Sequence, residues 1–170
     1  DYTEGKYTDL YNVFDYYTKN GYKIYAEIGA FLIDYLLSGT IDVLCIRDDK
    51  FVIGDYKTNR GGLKFESGYF RKDKTDIWVP KDEWLLPPLN NLPNCNGSIY
   101  NMQLSIYAAY VEIILGIPCA GLWLCHIDSD FVLNKYGMPK RFPDNSFKIK
   151  ENPVEKVTMH KMSYRRNEVM

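Results

Sequence analysis

Residues 38 to 59 read SGTIDVLCIRDDKFVIGDYKTN: two aliphatic, β-branched runs joined by a doubly acidic turn, each carrying one aspartate where a strand would bury a valine or leucine. Such runs on either side of a short polar turn specify an antiparallel hairpin. A tight turn at Asp48-Asp49 pairs Arg47 with Lys50, Ile46 with Phe51 and, continuing outward, Asp42 with Asp55; a four-residue loop over 47 to 50 leaves the same register. Directly opposed side chains have Cβ atoms about 5 Å apart, and Lys57, two residues beyond Asp55, shares its face. Two carboxylates at that spacing repel by about 3 kcal/mol at an effective dielectric of 20. A sheet holds them only with compensation: a shared proton, the Lys57 ammonium, or a divalent cation, whose natural ligands are carboxylate oxygens. Either aspartate alone fits a solvent-facing strand end; the pair in register, with a lysine beside it, points to a site.

The run before this hairpin adds a third acid. With a turn at Asp34-Tyr35, Glu27 lies opposite Asp42, and Gly29 and Gly39 are candidate bulge positions. Elsewhere, Leu10, Val13, Phe14 and Tyr17 have helical spacing over residues 7 to 20, and Asn20-Gly21 is a stop signal. Residues 22 to 33, 36 to 46 and 51 to 58 read as strands. Residues 59 to 97 have no clean period and form a long loop excursion, well past ordinary connection length. Residues 98 to 115 are the strongest helix, with Ser98 as N-cap and Gly116 and Pro118 as its stop. Residues 119 to 127 read as a buried strand, 129 to 146 as a loop, and 147 to 163 contain a last strand. The order specifies one α/β domain over residues 1 to 170, a central mixed β-sheet flanked by helices.

Composition excludes several classes. The 170 residues carry a net charge of −1, so nucleic acid would be held by local patches or metal ions and not by an overall basic field. No apolar run is long enough to span a membrane, and no signal peptide is recognisable. The four cysteines, Cys45, Cys95, Cys119 and Cys125, show no C-x-x-C, and three of them sit in strand-like apolar runs, as reduced cysteines do. A reducing, cytoplasmic setting is the expectation. The Cys119 and Cys125 spacing lacks the further ligands of an iron–sulfur site. The 15 tyrosines imply a core with hydroxyl handles needing partners.

GTIDVL, then IGDYKTN, then Gln103-Leu-Ser-Ile-Tyr107 on the later helix resemble, in order, the G-x-I-D, D-x-K and Q-x-x-x-Y elements of the PD-(D/E)XK nuclease superfamily, in its RecB-type exonuclease branch. The resemblance runs from about Glu27 to Cys125. It implies a restriction-endonuclease-like core. It further implies that Asp42 and Asp55, with the main-chain carbonyl of Tyr56, bind Mg²⁺ or Mn²⁺. Lys57 would position or activate the attacking water, Glu27 would supply a catalytic acid, and Gln103 and Tyr107 would lie near metal and DNA. Thr58, Arg60 and Lys64 join them as substrate-binding candidates. The implied activity is metal-dependent DNA hydrolysis, by an exonuclease or end-processing enzyme of recombination and repair, of a kind phages encode. Many members carry a further metal ligand on an earlier helix; residues 7 to 20 offer only Asp9 and Asp15, so the chain reads as a fragment lacking the upstream motif. That departure supports a second expectation: a nuclease-like fold kept as a DNA- or partner-binding module with little or no cleavage.

Three further features are weighed against plain structural roles. Between 59 and 84, Arg60, Lys64, Arg71, Lys72, Lys74 and Lys81 alternate with aromatics, a pattern suited to a DNA strand. His126 reads as an edge residue and not as a ligand. Tyr164-Arg165-Arg166 reads as a frayed terminus.

Overall fold

The computed structural model describes residues 8–33, 36–58, 62–71, 77–128, 130–135, 139–151 and 156–170. The elements run α1 (Thr8–Lys19), β1 (Lys23–Leu32), β2 (Leu37–Arg47), β3 (Lys50–Lys57), β4 (Gly68–Phe70), β5 (Trp78–Pro80), α2 (Asn96–Leu115), β6 (Cys119–Asp128), β7 (Lys156–Met162) and α3 (Arg166–Val169). They form an α/β arrangement whose mixed five-stranded sheet has the order β1-β2-β3-β6-β7. The chain divides into two compact units. The first comprises Asp1–Lys57, Ile99–His126 and Val157–Met170; the second comprises Thr58–Ser98 and Ile127–Lys156.

In the first unit the β2–β3 hairpin turns at Asp48-Asp49 and pairs Arg47 with Lys50 through Val43 with Gly54, the register expected from the sequence. β1 pairs with β2 antiparallel, from Lys23 with Ile46 to Leu32 with Leu37. Gly29 and Gly39 are ordinary paired residues, opposite Thr40 and Ala30, and mark no bulge. The irregularity falls on Glu27, whose φ of 54° is left-handed. The turn at Asp34-Tyr35 lies outside the described residues. β3 and β6 are parallel, which requires a crossover, and α2 lies on it.

α1 and α2 take opposite faces of this sheet. Successive strand residues point to opposite sides. A Cβ on Gly54 would fall inside the ring of Trp123, which lies on the α1 side with Tyr17; Asp55 and Lys57 therefore face α2. Gly54 is glycine because the indole occupies the space of its side chain. α1 closes as the sequence specified: Gly21 has φ 78°, and Tyr22 N–H returns to Tyr17 C=O at 3.0 Å while Gly21 N–H meets Thr18 C=O at 3.0 Å. The core is built of Ile41, Val43, Phe51, Ile53, Leu104, Leu122 and Leu124.

α2 begins two residues before the expected start, and Ser98 is not its N-cap. Cys95 takes that position: its Sγ accepts the Ser98 N–H at 3.5 Å and lies 3.3 Å from Ser98 Oγ. A sulfur cap has no sequence signal, since cap preferences describe hydroxyl and carboxamide oxygens.

The 59 to 97 excursion is not structureless. Within the second unit, β4 and β5 form a two-stranded sheet, and Trp84 bridges to Pro93. Three-residue strands are too short for an alternation to show in sequence. Residues 129 to 146 include the isolated bridge Leu133 with Pro139, and Arg141 bridges onward to Phe147. The C-terminus is not frayed: Tyr164 O–H and Arg166 Nε each donate to Glu112 Oε2 at 3.0 Å, and Arg165 N–H donates to Ser105 Oγ at 3.1 Å. All four cysteines are free thiols. Among the described residues no helix is long and apolar enough to cross a membrane.

Candidate active site

Asp42 and Asp55 meet where β2 and β3 leave their ladder. The last paired residues are Val43 and Gly54, so the next two positions face one another. Asp42 Oδ2 accepts the Tyr56 N–H at 2.9 Å, taking a main-chain donor at the point where the ladder ends. Asp55 is buried (3% exposed) and its carboxylate is ion-paired to Lys57 Nζ. The Asp42 carboxyl is near enough to act on it. Burial pushes the Asp55 carboxyl above the ordinary carboxylate range; Lys57 works against that shift, and the neighbouring Asp42 charge adds to it. An acid held this way favours a proton or a cation between the two carboxyls.

α2 supplies the opposite wall. Lys57 Nζ lies 3.5 Å from Gln103 Oε1 and 4.4 Å from the centre of the Tyr100 ring. Gln103 Nε2 donates to Tyr107 O–H at 3.1 Å. Residues 100, 103 and 107 are one helical stripe, three and four apart. Tyr107 then lies over Gly39, where a Cβ would stand 2.6 Å from the phenol. The glycine of GTID and the tyrosine of the Q-x-x-x-Y stretch are thus matched: only a residue without a side chain lets the ring close onto β2. Sequence reasoning missed Tyr100 and this role of Gly39. Tyr100 could have been found from its place three residues before Gln103 on the same helical face.

The other candidates are placed differently. Ala26 and Ile28, paired with Val43 and Ile41, bracket Asp42, so Glu27 does fall opposite it. Its left-handed backbone breaks the alternation, and its side chain is exposed. Among the described residues no three His, Cys, Asp or Glu side chains converge as a ligand set. Asp15 is ion-paired to Lys19 at 2.7 Å on α1, across the sheet from Asp55. Thr58 and Lys64 belong to the second unit, where Lys64 Nζ lies 5.3 Å from the ring centres of both Phe70 and Trp78. Lys81 lies over Tyr69 at 5.2 Å, so the cation–aromatic interleaving read from the sequence recurs as real contacts within that unit. Arg60, Lys72 and Lys74 lie outside the described residues. His126 is buried on β6 opposite Lys57, on an interior strand and not at an edge.

The donor set fits a hard divalent ion. Two carboxyls opposed at the end of the ladder, one of them buried, offer oxygens, and Mg²⁺ commonly takes one or two protein carboxylates and completes its shell with water and phosphate. No protein-family model, no curated protein and no solved structure matches this chain.

Proposed function

We propose that this protein is a metal-dependent DNA phosphodiesterase with a restriction-endonuclease-like core, acting as an exonuclease or end-processing enzyme in recombination and repair. One observation carries the reading: Asp42 and Asp55 come into contact at the end of a hairpin, with Lys57 ion-paired to the more buried of them. Asp42, Asp55 and the Tyr56 carbonyl would hold Mg²⁺ or Mn²⁺. When bound, such an ion polarises the scissile phosphate and lowers the pKa of a coordinated water.

The side chains divide the remaining work. Lys57, charged and pinned between Asp55, Gln103 and Tyr100, places a fixed positive charge where the phosphate gains negative charge in the transition state. Gln103 orients that ammonium through its carbonyl oxygen and is itself oriented by Tyr107. Asp42, held by the Tyr56 N–H, fixes the outer edge of the carboxylate pair.

Incubating the protein with end-labelled DNA and Mg²⁺ or Mn²⁺ is expected to give cleavage that chelator abolishes. Lys57→Ala and Asp55→Asn should each lower the rate about 10³-fold, in the range known for loss of one transition-state charge partner. Metal-dependent cleavage that survives both substitutions would overturn the assignment. A second reading, a nuclease-like module that binds DNA or a partner without cutting it, draws on the two-carboxylate set and the exposed Glu27. Metal binding with no cleavage by the wild type would favour it.

A further inference from the structure

The α1 side of the sheet, across from Asp55, carries an open groove of about 790 Å³ that the proposed chemistry does not use. We propose that this groove binds a nucleotide unit, with its base against aromatic rings and its phosphate on a cluster of cations. Its floor is β6, where Ala120 and Gly121 keep the surface low beside the Trp123 indole. Its wall is a run of tyrosines set edge to face: Tyr16 on Tyr17 at 5.3 Å and Tyr17 on Tyr22 at 5.4 Å between ring centres. Tyr16 is 61% exposed, so a ring face is open to a ligand.

The charge is one-sided. Arg47 and Lys50 come from the β2–β3 turn and Lys161 from β7. In the sheet order, β3 and β7 flank β6, so cations approach the floor from both sides. Among the described residues no Asp or Glu lines the groove. The nearest acid of the turn, Asp49, pairs loosely with Arg47 at 3.6 Å and Lys50 at 3.9 Å, and its side chain is 70% exposed. Arg47 is already in place: its Nη1 donates to Asn20 C=O at 3.2 Å, and its guanidinium lies 5.2 Å from the Tyr22 ring centre. Flat aromatic surface beside fixed cations, in a concavity of small-molecule size, is the chemistry that takes a base and its phosphate together. The site stands on residues distinct from Asp42, Asp55 and Lys57 and does not depend on their assignment.

The test is made on the wild-type protein in EDTA, so that no metal-bridged DNA contact contributes. Fluorescein-labelled ten-residue oligothymidylate is titrated by anisotropy, and deoxyadenosine monophosphate by calorimetry. Binding is expected, with a slope of log K against log salt of about −2 for the oligomer, as three neutralised phosphates on a single strand give. Tyr16→Ala should weaken binding about tenfold, by loss of one stacking surface. Lys50→Glu should weaken it at least as much and flatten the salt slope. If the mononucleotide binds as tightly as the oligomer, free nucleotide is the natural source; if only the oligomer binds, an unpaired strand is. Either result sustains the site. Failure of both probes to bind, or binding that neither substitution alters in variants with unchanged circular dichroism, overturns it.

Discussion

Asp55 and Glu112 are both carboxylates with little solvent exposure, 4% and 16% at the side chain, and both are ion-paired to one cation. Their acidities nevertheless move in opposite directions. Burial raises the Asp55 value; Lys57 opposes the rise, and the Asp42 charge reinforces it. Burial also acts to raise Glu112, but the Cys119 N–H, Arg166 and Tyr164 outweigh it and hold this carboxyl below its ordinary value. The difference is one of donor supply. Glu112 ties the start of β6 and the C-terminal segment to α2 and has three donors for its two oxygens, at 3.2, 3.0 and 3.0 Å. Asp55 has one cation and one competing acid. A carboxylate used for architecture is satisfied, whereas one left short of donors beside a like charge is the arrangement found at chemical sites.

The comparison breaks first at Glu112. Glu112→Ala removes the acceptor of three donors and leaves the half-buried Tyr164 and Cys119 groups unpaired. The expected cost is about 2 kcal/mol, kept low because Arg166 is more than half exposed. For a chain of this size that corresponds to a fall in Tm of about 4–8 °C, read by thermal denaturation. An unchanged Tm would mean that the terminus is not anchored there.

Asp42→Asn sharpens the other side of the comparison and should have the opposite sign. Asparagine keeps an oxygen for the Tyr56 N–H, turns an amide donor toward Asp55, and removes the like charge. Without metal the variant should be more stable than wild type by about 1 kcal/mol, because the Lys57 ammonium already offsets part of the roughly 3 kcal/mol that two charges about 5 Å apart would otherwise exert. Saturating Mg²⁺ should reverse the ranking, since ligand binding stabilises the form that holds it. A variant that is destabilised in EDTA, or that gains as much from Mg²⁺ as wild type, would place Asp42 with Glu112 as a structural acid.

These two carboxylates also mark how far the sequence could be read. The Asp42–Asp55 register was legible because period-two strands and a polar two-residue turn leave one pairing that buries Val43, Cys45 and Val52 on one face. Gln103 and Tyr107 were singled out by the resemblance to the Q-x-x-x-Y element, and helical spacing placed them on one face. Glu112 was not, because its partners are Arg166 and Tyr164, about fifty residues away, and nothing local signals such a closure. Glu27 falls opposite Asp42 as the sequence specified, but its left-handed backbone could not be read, because such a residue inside a strand leaves no mark unless it is glycine or asparagine. The α1 groove depends on Ala120 and Gly121 standing beside Trp123 and on three distant cations, a juxtaposition that only the folded sheet creates.

The smallest effect is the most specific, because it asks the two acids to respond to pH with opposite slopes. Glu112 has a lowered folded value, so its stabilising contribution is complete above the ordinary carboxylate value near 4 and is lost as pH falls through the folded value. Asp55 has a raised folded value; its contribution is complete below that ordinary value and is lost as pH rises through the folded one, where a buried charge must form beside Asp42. Stability is to be measured by urea unfolding in EDTA from pH 3 to pH 8 for wild type, Glu112→Gln and Asp55→Asn. The advantage of wild type over Glu112→Gln should be flat above about pH 5 and shrink toward acid. The difference between wild type and Asp55→Asn should be flat in acid and shift against wild type as pH rises, levelling once Asp55 is ionised. Changes of about 0.5 kcal/mol in unfolding free energy are expected across each window. Two curves with the same slope would remove the distinction, since both acids would then be held by the same balance of burial and donors.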